Sequence, residues 1–551
     1  MRYMNQILCF KRMIKPLALA AVLFYSSCSD LLENDNAFFH VSTQEQQWNS
    51  LTDTRSALFG IYGLMRTALG ENNGFWAAGD LRLGDFTVRM RDDLQAIRDN
   101  RLDAPYDNIR QISNWNRFYK VVNAASVFIE NAGKVLEKDN AYSETNYIYD
   151  MSQARALRAL AYFYMVQMWG DVPLITQSYD NGTFPEVSRT DKEIVLNYVE
   201  KELLAVSQLL PELLGSSSDK YYDGDANTWP GLLINRYSVY AMLAHVTAWK
   251  GNYIDAEAYS GQILNKLPSF IKNGTTAPYT TTENLVSATG MFSSKYSNDF
   301  SVTRLVAFGY SYVNSDKGDV NETGTDGHLE SWTLAEPIIR KQLPDIYLSK
   351  DTLEKVFMNK FTTDNRYGVD ALSNPVQYFD GYITGINYQY PLFTKMKVVR
   401  DGEDKTNDLG VFSSYIVWSR LEDMLLMHAE ALAVLNRPED ALVDLNTLRG
   451  VRNLRSLSYA KDLQGNVKNL LKEIFQERRR ELMGEGHYWF DRVREARVVG
   501  DDRTMVELVN NGGVYWPVAG EVLRHNTAIT QNEYWKRKKQ DTKKKNKFAI
   551  P

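Results

Sequence analysis

The chain has 551 residues, a formal net charge of −5, 44% apolar residues and 24% charged ones, the balance of a protein that buries a large core. That charge excludes a general nucleic-acid binder, whose phosphate contacts need a cationic surface. Cys9 and Cys28 are the whole thiol complement, so disulfide frameworks and zinc or iron–sulfur centres built on several thiolates are excluded as well.

The amino terminus reads as a targeting segment. Arg2, Lys11, Arg12 and Lys15 precede an apolar run from Pro16 to Phe24, and Ser26 and Ser27 lead into Cys28. A charged start, a short apolar core and small residues before a cysteine predict a lipoprotein signal over residues 1–27, with Cys28 as the acylated first residue of the mature chain. The apolar run falls well short of the roughly 20 residues that span a bilayer. Residues 28–39, with Ser29, Asp30, Glu33 and Asp35, form a polar and acidic tether.

Helical patterns dominate the chain beyond the tether. Residues 51–69 and 115–135 predict a first helical hairpin, and residues 150–169 and 191–210 a second. In the second, Ala154, Leu157, Ala161, Tyr164 and Met168 make an apolar stripe, Gly170 offers a C-cap and Pro173 forbids continuation. Residues 244–264 and 429–449 form a weak repeat without gaps. Ala244 aligns with Ala429, Ala248 with Ala433, Gly251 with Asn436, and Asp255-Ala256 with Asp440-Ala441. Each copy is a helix, a turn residue, and a second helix with a small residue at the contact, the logic of tetratricopeptide hairpins that must stack to bury their apolar faces. The expected fold is mostly α, with about four such hairpins. Segments 70–114, 214–231, 268–335 and 361–411 are long excursions rich in Gly, Asn, Ser and aromatics, with short hairpin strands expected near 305–313.

The carboxyl-terminal half carries charged motifs. Arg420-Leu421-Glu422-Asp423-Met424 opens a helix with the stripe Leu421, Leu425, His428, Leu432 and Leu435. Farther on, Glu477, Glu481 and Glu485 recur at i, i+4 and i+8, flanked by Arg478 and Arg479. Glycosidases place two carboxyls across the scissile bond, commonly on opposing elements. Neighbouring arginines keep glutamates ionised, which suits ion pairing between helices. No metalloprotease, nucleophile-elbow or phosphate-loop pattern occurs, and His245 and His428 fall within predicted helices as packed residues. No catalytic residue, metal or cofactor is expected. From Lys536 to Lys547 eight cations form a basic tail, residues 536–551.

Four motifs, in order, carry a family resemblance. They are Ala154-Arg155, Arg158-Ala159 and Tyr162-Phe163 followed by Gly170-Asp171-Val172-Pro173-Leu174; the Arg420–Met424 helix start; Ile474–Leu482 leading into Glu485-Gly486-His487 and Phe490-Asp491; and Trp516-Pro517-Val518, Asn526 and Ile529–Asn532. The chain resembles the SusD/RagB family of surface lipoproteins, departing from its pattern at Tyr488, where arginine commonly follows Glu-Gly-His. The resemblance implies a tetratricopeptide-like unit with an N-terminal region over 40–268 and a C-terminal region over 269–535. It implies a glycan-binding lipoprotein outside the outer membrane, delivering oligosaccharides or polysaccharides to a SusC-like TonB-dependent transporter. A peptide-binding surface protein and a polysaccharide-acting enzyme are the other readings. Sugar rings stack on aromatic faces and their hydroxyls need polar neighbours. By region, the resemblance directs that role to Asn73, Phe75, Trp76 and Asp80 and to Tyr296, Tyr310 and Trp332, with the two tryptophans as stacking platforms.

Overall fold

The structure is a computed structural model that describes residues 47–179, 186–214, 232–270, 278–287, 290–293, 303–309, 327–336, 338–339, 341–357, 363–367, 381–386, 388–396, 400–401, 409–410, 412 and 414–548. Cys28, its signal and the tether lie outside these residues, as do Tyr296 and Tyr310.

The scaffold is a stack of helices in which each packs on the next. Helix α1 (Leu51–Gly70) begins at Ser50, whose hydroxyl accepts from the Asp53 N–H while the Asp53 carboxylate accepts from the Ser50 N–H, a reciprocal cap. It packs on α2 (Asn116–Asn131), which packs on α3 (Glu144–Trp169), and α3 on α4 (Lys192–Ser207). Next come α5 (Arg236–Lys250) and α6 (Tyr253–Lys266), then α7 (Leu421–Val434) and α8 (Pro438–Val451). Helix α7 also packs on α9 (Val467–Glu481), and α9 on α10 (Tyr488–Val498). The four predicted hairpins are these first eight helices, taken in pairs.

The internal repeat is visible as a repeated turn. Gly251 has φ +81° and Asn436 φ +60°, left-handed conformations that glycine and asparagine tolerate better than other residues. Each donates its N–H to the alanine three residues back, Ala248 or Ala433, at 3.0 and 3.1 Å. The next residue donates to the carbonyl of Thr247 or Leu432, at 2.8 Å in both. Ala256 and Ala441, the small residues predicted at the helix contact, are both fully buried.

Helix α3 departs from the single-stripe expectation. From Ser152 to Trp169 only Arg155 escapes full burial, because α1, α2 and α4 all close on it. Its arginines are absorbed accordingly: Arg155 pairs with Glu202 at 2.9 Å, and Arg158 donates to Ser126 Oγ and the Thr176 carbonyl at 3.0 and 2.9 Å. Gly170 caps the helix at φ +73° against the Tyr515 ring.

The described residues of the segment between α6 and α7 pack on the core through short strands and helices. Its strand β1 (Arg304–Phe308) pairs antiparallel with β2 (Ile416–Arg420), from Arg304 opposite Arg420 to Phe308 opposite Ile416. The hairpin expected near 305–313 is therefore a long-range pairing. Both strands are buried at every position, so the partner comes from the core-facing end of the excursion. Local hairpins do occur at Ile383–Thr384 with Leu392–Phe393 and at Arg400–Asp401 with Leu409–Gly410. Among the described residues no helix is long and apolar enough to cross a membrane.

Candidate functional site

The segment after α1 does not present its aromatics to solvent. Asn72 and Asn73 take φ +55° and +52°, turning the chain sharply into the short helix Gly74–Trp76. Trp76 is 3% exposed and donates its indole N–H to the Gly484 carbonyl at 2.9 Å. Phe75 packs over Gly486 and lies 5.6 Å from the Trp76 ring and 6.4 Å from Tyr164. The Asp80 carboxylate accepts from the N–H groups of Gly484 and Gly486 at 3.0 and 2.7 Å. Burial pushes its pKa up to about 7, against those two N–H groups and Lys395. Asn73 Oδ1 accepts from the N–H groups of Gly327 and His328 at 2.7 and 3.0 Å, and its amide donates to Ser331 Oγ at 3.0 Å.

Trp332, 7% exposed, joins the same core, and its carbonyl accepts from the Asp345 N–H at 2.8 Å. The structure thus corrects the expectation for Asn73, Phe75, Trp76, Asp80 and Trp332. They form a buried junction tying residues 73–80 to the 327–333 and 484–486 segments, and their rings offer no free face for a sugar.

Beside the junction lies the predicted charge network, with partners the sequence did not indicate. Helix α9 ends at Glu481, so Glu485 sits in the loop beyond it, where Gly484 and Gly486 have φ +78° and +76°. Arg366 bridges Asp364, Glu477 and Glu481 at 2.7, 2.7 and 3.0 Å. Arg452 pairs with Glu481 at 2.7 Å, Arg420 with Glu481 and Glu485 at 2.9 Å, and Lys395 with Glu485 at 2.5 Å. Burial alone would raise Glu477, but Arg480 and Arg366 outweigh it and hold the carboxyl down at about 2. Burial likewise opposes the ionised form of Glu481, and Arg452 and Arg420 keep it well below the carboxylate range. Arg478 and Arg479 look elsewhere, to Asp423 and Asp491 and to Asp85. Carboxyls held ionised and fully paired serve as cross-links and hold no proton for acid catalysis.

An open cleft of about 630 Å³ lies along α2. Helix α2 supplies one wall through Asn116, Tyr119, Lys120 and Asn123, at i, i+3, i+4 and i+7, with Trp115 at its start. Tyr119 stands half-buried, its hydroxyl donating to the Pro173 carbonyl at 2.6 Å and its ring edge-on to Trp115 at 6.1 Å. Pro173 and Ile175 floor the cleft, and Glu186, Val187, His525, Asn526 and Ile529 close the far side.

That far wall is tied together. Asn526 donates to the Val187 carbonyl at 3.1 Å, Thr527 donates to Glu186 at 2.7 Å, and Arg189 donates to the Thr530 carbonyl at 3.0 Å. An apolar floor with exposed Asn116, Lys120, Glu186 and His525 at its rim has the composition of a ligand site. The polar-aromatic spacing along 116–123 was the sequence signal for it. The Val187, Asn526 and Ile529 side arises from tertiary contact alone.

The same architecture occurs in known proteins. A profile for the SusD family matches residues 266–535, and a profile described as starch-binding associating with outer membrane matches residues 78–247. A solved SusD superfamily protein from Bacteroides thetaiotaomicron is 45% identical, with a TM-score of 0.80 over 89% of this chain and 100% of that one. A solved laminarin binding SusD-like protein is 21% identical, with a TM-score of 0.61 over 88% of this chain and 100% of its own. SusD-like protein P38 of Formosa agariphila is 23% identical over 92% of this chain and 95% of that protein.

Proposed function

Because the chain belongs to the SusD/RagB family, we propose that it is a cell-surface glycan-binding lipoprotein that captures oligosaccharides or polysaccharides and delivers them to a SusC-like TonB-dependent transporter. The observation that carries this reading is the 45% identity along the full length of a SusD superfamily protein. A neighbour of the same fold that binds laminarin supports a polysaccharide ligand, and the outer-membrane association in the family description supports the location. The ionised, fully paired carboxyls of α9 support a binding role over a hydrolytic one.

Within the described residues, the α2 cleft is the place where a glycan fits this role. A pyranose presents C–H faces to an apolar floor and hydroxyls to a polar rim. Pro173 and Ile175 supply the floor, the half-buried Tyr119 an aromatic wall, and Asn116, Lys120, Glu186 and His525 the donors and acceptors. Capture without turnover then requires a partner that carries the ligand inward, the part assigned to the transporter.

The test is calorimetry of the purified protein against a polysaccharide panel that includes laminarin, with a peptide library in parallel. Binding of a glycan without release of shorter products is expected. Asn116→Ala and Lys120→Ala, both at exposed positions, should each weaken it about tenfold, the equivalent of about 1.4 kcal/mol, while leaving thermal unfolding unchanged. Binding of peptides alone, or hydrolysis of the bound glycan, overturns the reading. Co-purification of a large β-barrel protein from detergent-solubilised membranes tests the transporter.

A further inference from the structure

His245 on α5, Asp423 on α7 and His487 at the start of α10 come from three helices and converge in the core. A ring nitrogen of each histidine and a carboxylate oxygen of Asp423 all lie within 4.8 Å of one another. His245 Nε2 is 2.7 Å from Asp423 Oδ2, and the two imidazoles lie nearly parallel with centroids 5.6 Å apart. All three residues are buried, at 4%, 0% and 7% exposure. His487 Nε2 is shut off from solvent and has no hydrogen-bond partner among the described residues. A buried polar atom left unsatisfied costs on the order of 1–3 kcal/mol, so such an atom calls for an explanation.

Charge counting among the described residues points the same way. The large network around α9 balances. Asp364, Glu422, Glu473, Glu477, Glu481 and Glu485 face Arg366, Lys395, Arg420, Arg449, Arg452 and Arg480. The adjoining group around Asp423 does not. Asp423, Asp491 and Glu430, three carboxylates, share two arginines, Arg478 and Arg494, at 2.8–2.9 Å, and Asp423 also meets His245 at 2.7 Å. Asp423, the carboxylate of that group nearest the histidines, lies beside two imidazoles.

We propose that His245, Asp423 and His487 bind a divalent transition-metal ion of the zinc class, which closes the α5–α7–α10 junction. Two imidazoles and a carboxylate are a donor set that suits zinc and its neighbours. Arg478 engages Asp423 through Oδ1 at 2.9 Å, which directs Oδ2 toward the site. Ser419 Oγ, 2.8 Å from Oδ2, is placed to donate to that oxygen beside the ion. Donors on a four-coordinate ion with bonds of about 2.0–2.1 Å stand about 3.3 Å apart. The 2.7 Å contact between His245 and Asp423 therefore opens by about half an ångström on binding.

The experiment is metal analysis of the protein purified without a histidine tag and dialysed at pH 7.5. About one zinc per chain is expected, falling to background in His487→Ala and in His245→Ala. A strong chelator should lower the melting temperature of the natural protein and leave that of His487→Ala unchanged. Cobalt, introduced by refolding, should give the visible absorption bands of a tetrahedral ion. This spectrum reads the site even where an alanine variant folds poorly. A metal-free protein whose melting point ignores the chelator and which yields no cobalt spectrum overturns the proposal.

Discussion

Gly79 and Gly486, far apart in sequence, meet backbone against backbone. A Cβ added at Gly79 would stand 2.1 Å from the Gly486 carbonyl oxygen, and one at Gly486 would stand 2.3 Å from the Phe75 ring. Gly486 also has φ +76°, so any side chain there is strained before it touches a neighbour. Gly79→Ala and Gly486→Ala should each destabilise the protein by about 3 kcal/mol or more, read by urea unfolding, since overpacking of rigid backbone has no soft direction in which to relax. Gly63, whose added Cβ meets nothing within 4 Å, is the control. Gly63→Ala should be neutral or mildly stabilising.

Asp80 makes the same junction sensitive to pH. Its folded pKa of about 7 lies above the ordinary aspartate value of 3.8, so between those limits the native state holds a proton that the unfolded chain has released. Stability from this group is therefore greatest below pH 4 and declines as pH rises toward 7, at up to about 1.4 kcal/mol per unit. Asp80→Asn cannot titrate. The difference in unfolding free energy between the natural protein and this variant, measured from pH 4 to 8, should change in that direction and level off above pH 7. A flat difference would contradict the assignment.

The buried arginines should be far more costly to remove than exposed ones. Arg366→Met leaves Asp364, Glu477 and Glu481 short of a cation inside the core and should cost about 3–5 kcal/mol. Arg455 pairs with Asp462 at 2.7 Å but is 70% exposed, and Arg455→Met should cost less than about 1 kcal/mol. Glu477 is depressed to about 2, so its contribution is complete above about pH 4.5 and fades as pH falls toward 2. Paired denaturation curves at pH 7 and pH 3 check both statements.

Much of the scaffold was legible because its signals are local. Gly170 and Pro173 mark the end of α3, and the Gly251–Asn436 correspondence marks two turns of one design. The ionic role of Glu477, Glu481 and Glu485 was legible for the same reason, since arginines adjoin them in sequence. Their partners were not, because Arg366, Lys395, Arg420 and Arg452 arrive from separate segments. Trp76 misleads on physical grounds. A Gly-Phe-Trp step after two asparagines looks like an exposed loop, and only the 484–486 backbone, more than 400 positions away, closes over it. Sequence periodicity reports which face of a helix is apolar, and it cannot report how many neighbours will cover that face. Helix α3 shows the consequence.

The repeated turn gives opposite expectations at its two copies. Gly251→Ala forces a side chain into φ +81° and should cost about 1 kcal/mol. Asn436→Gly relaxes φ +60° in the folded state but loosens the unfolded chain, so the two effects should nearly cancel, within about 0.5 kcal/mol. Thermal melts of both variants separate a turn set by backbone conformation from one set by side-chain contacts.

The anchor can be tested independently of any ligand. Acylation needs the Cys28 thiol, so Cys28→Ala should abolish fatty-acid labelling and move the protein from the membrane to the soluble fraction. One acyl chain holds a protein at a bilayer only weakly and reversibly. Firm retention of the natural protein would thus require several chains, a protein partner, or the cations from Lys536 to Lys547, each worth about 1 kcal/mol beside an anionic surface. Removing residues 536–551 while keeping Cys28 separates these contributions. Retention that persists without the tail but fails without Cys28 assigns the anchor to lipid. Labelling that survives Cys28→Ala would overturn the lipoprotein reading, and with it the location from which a captured glycan is handed on.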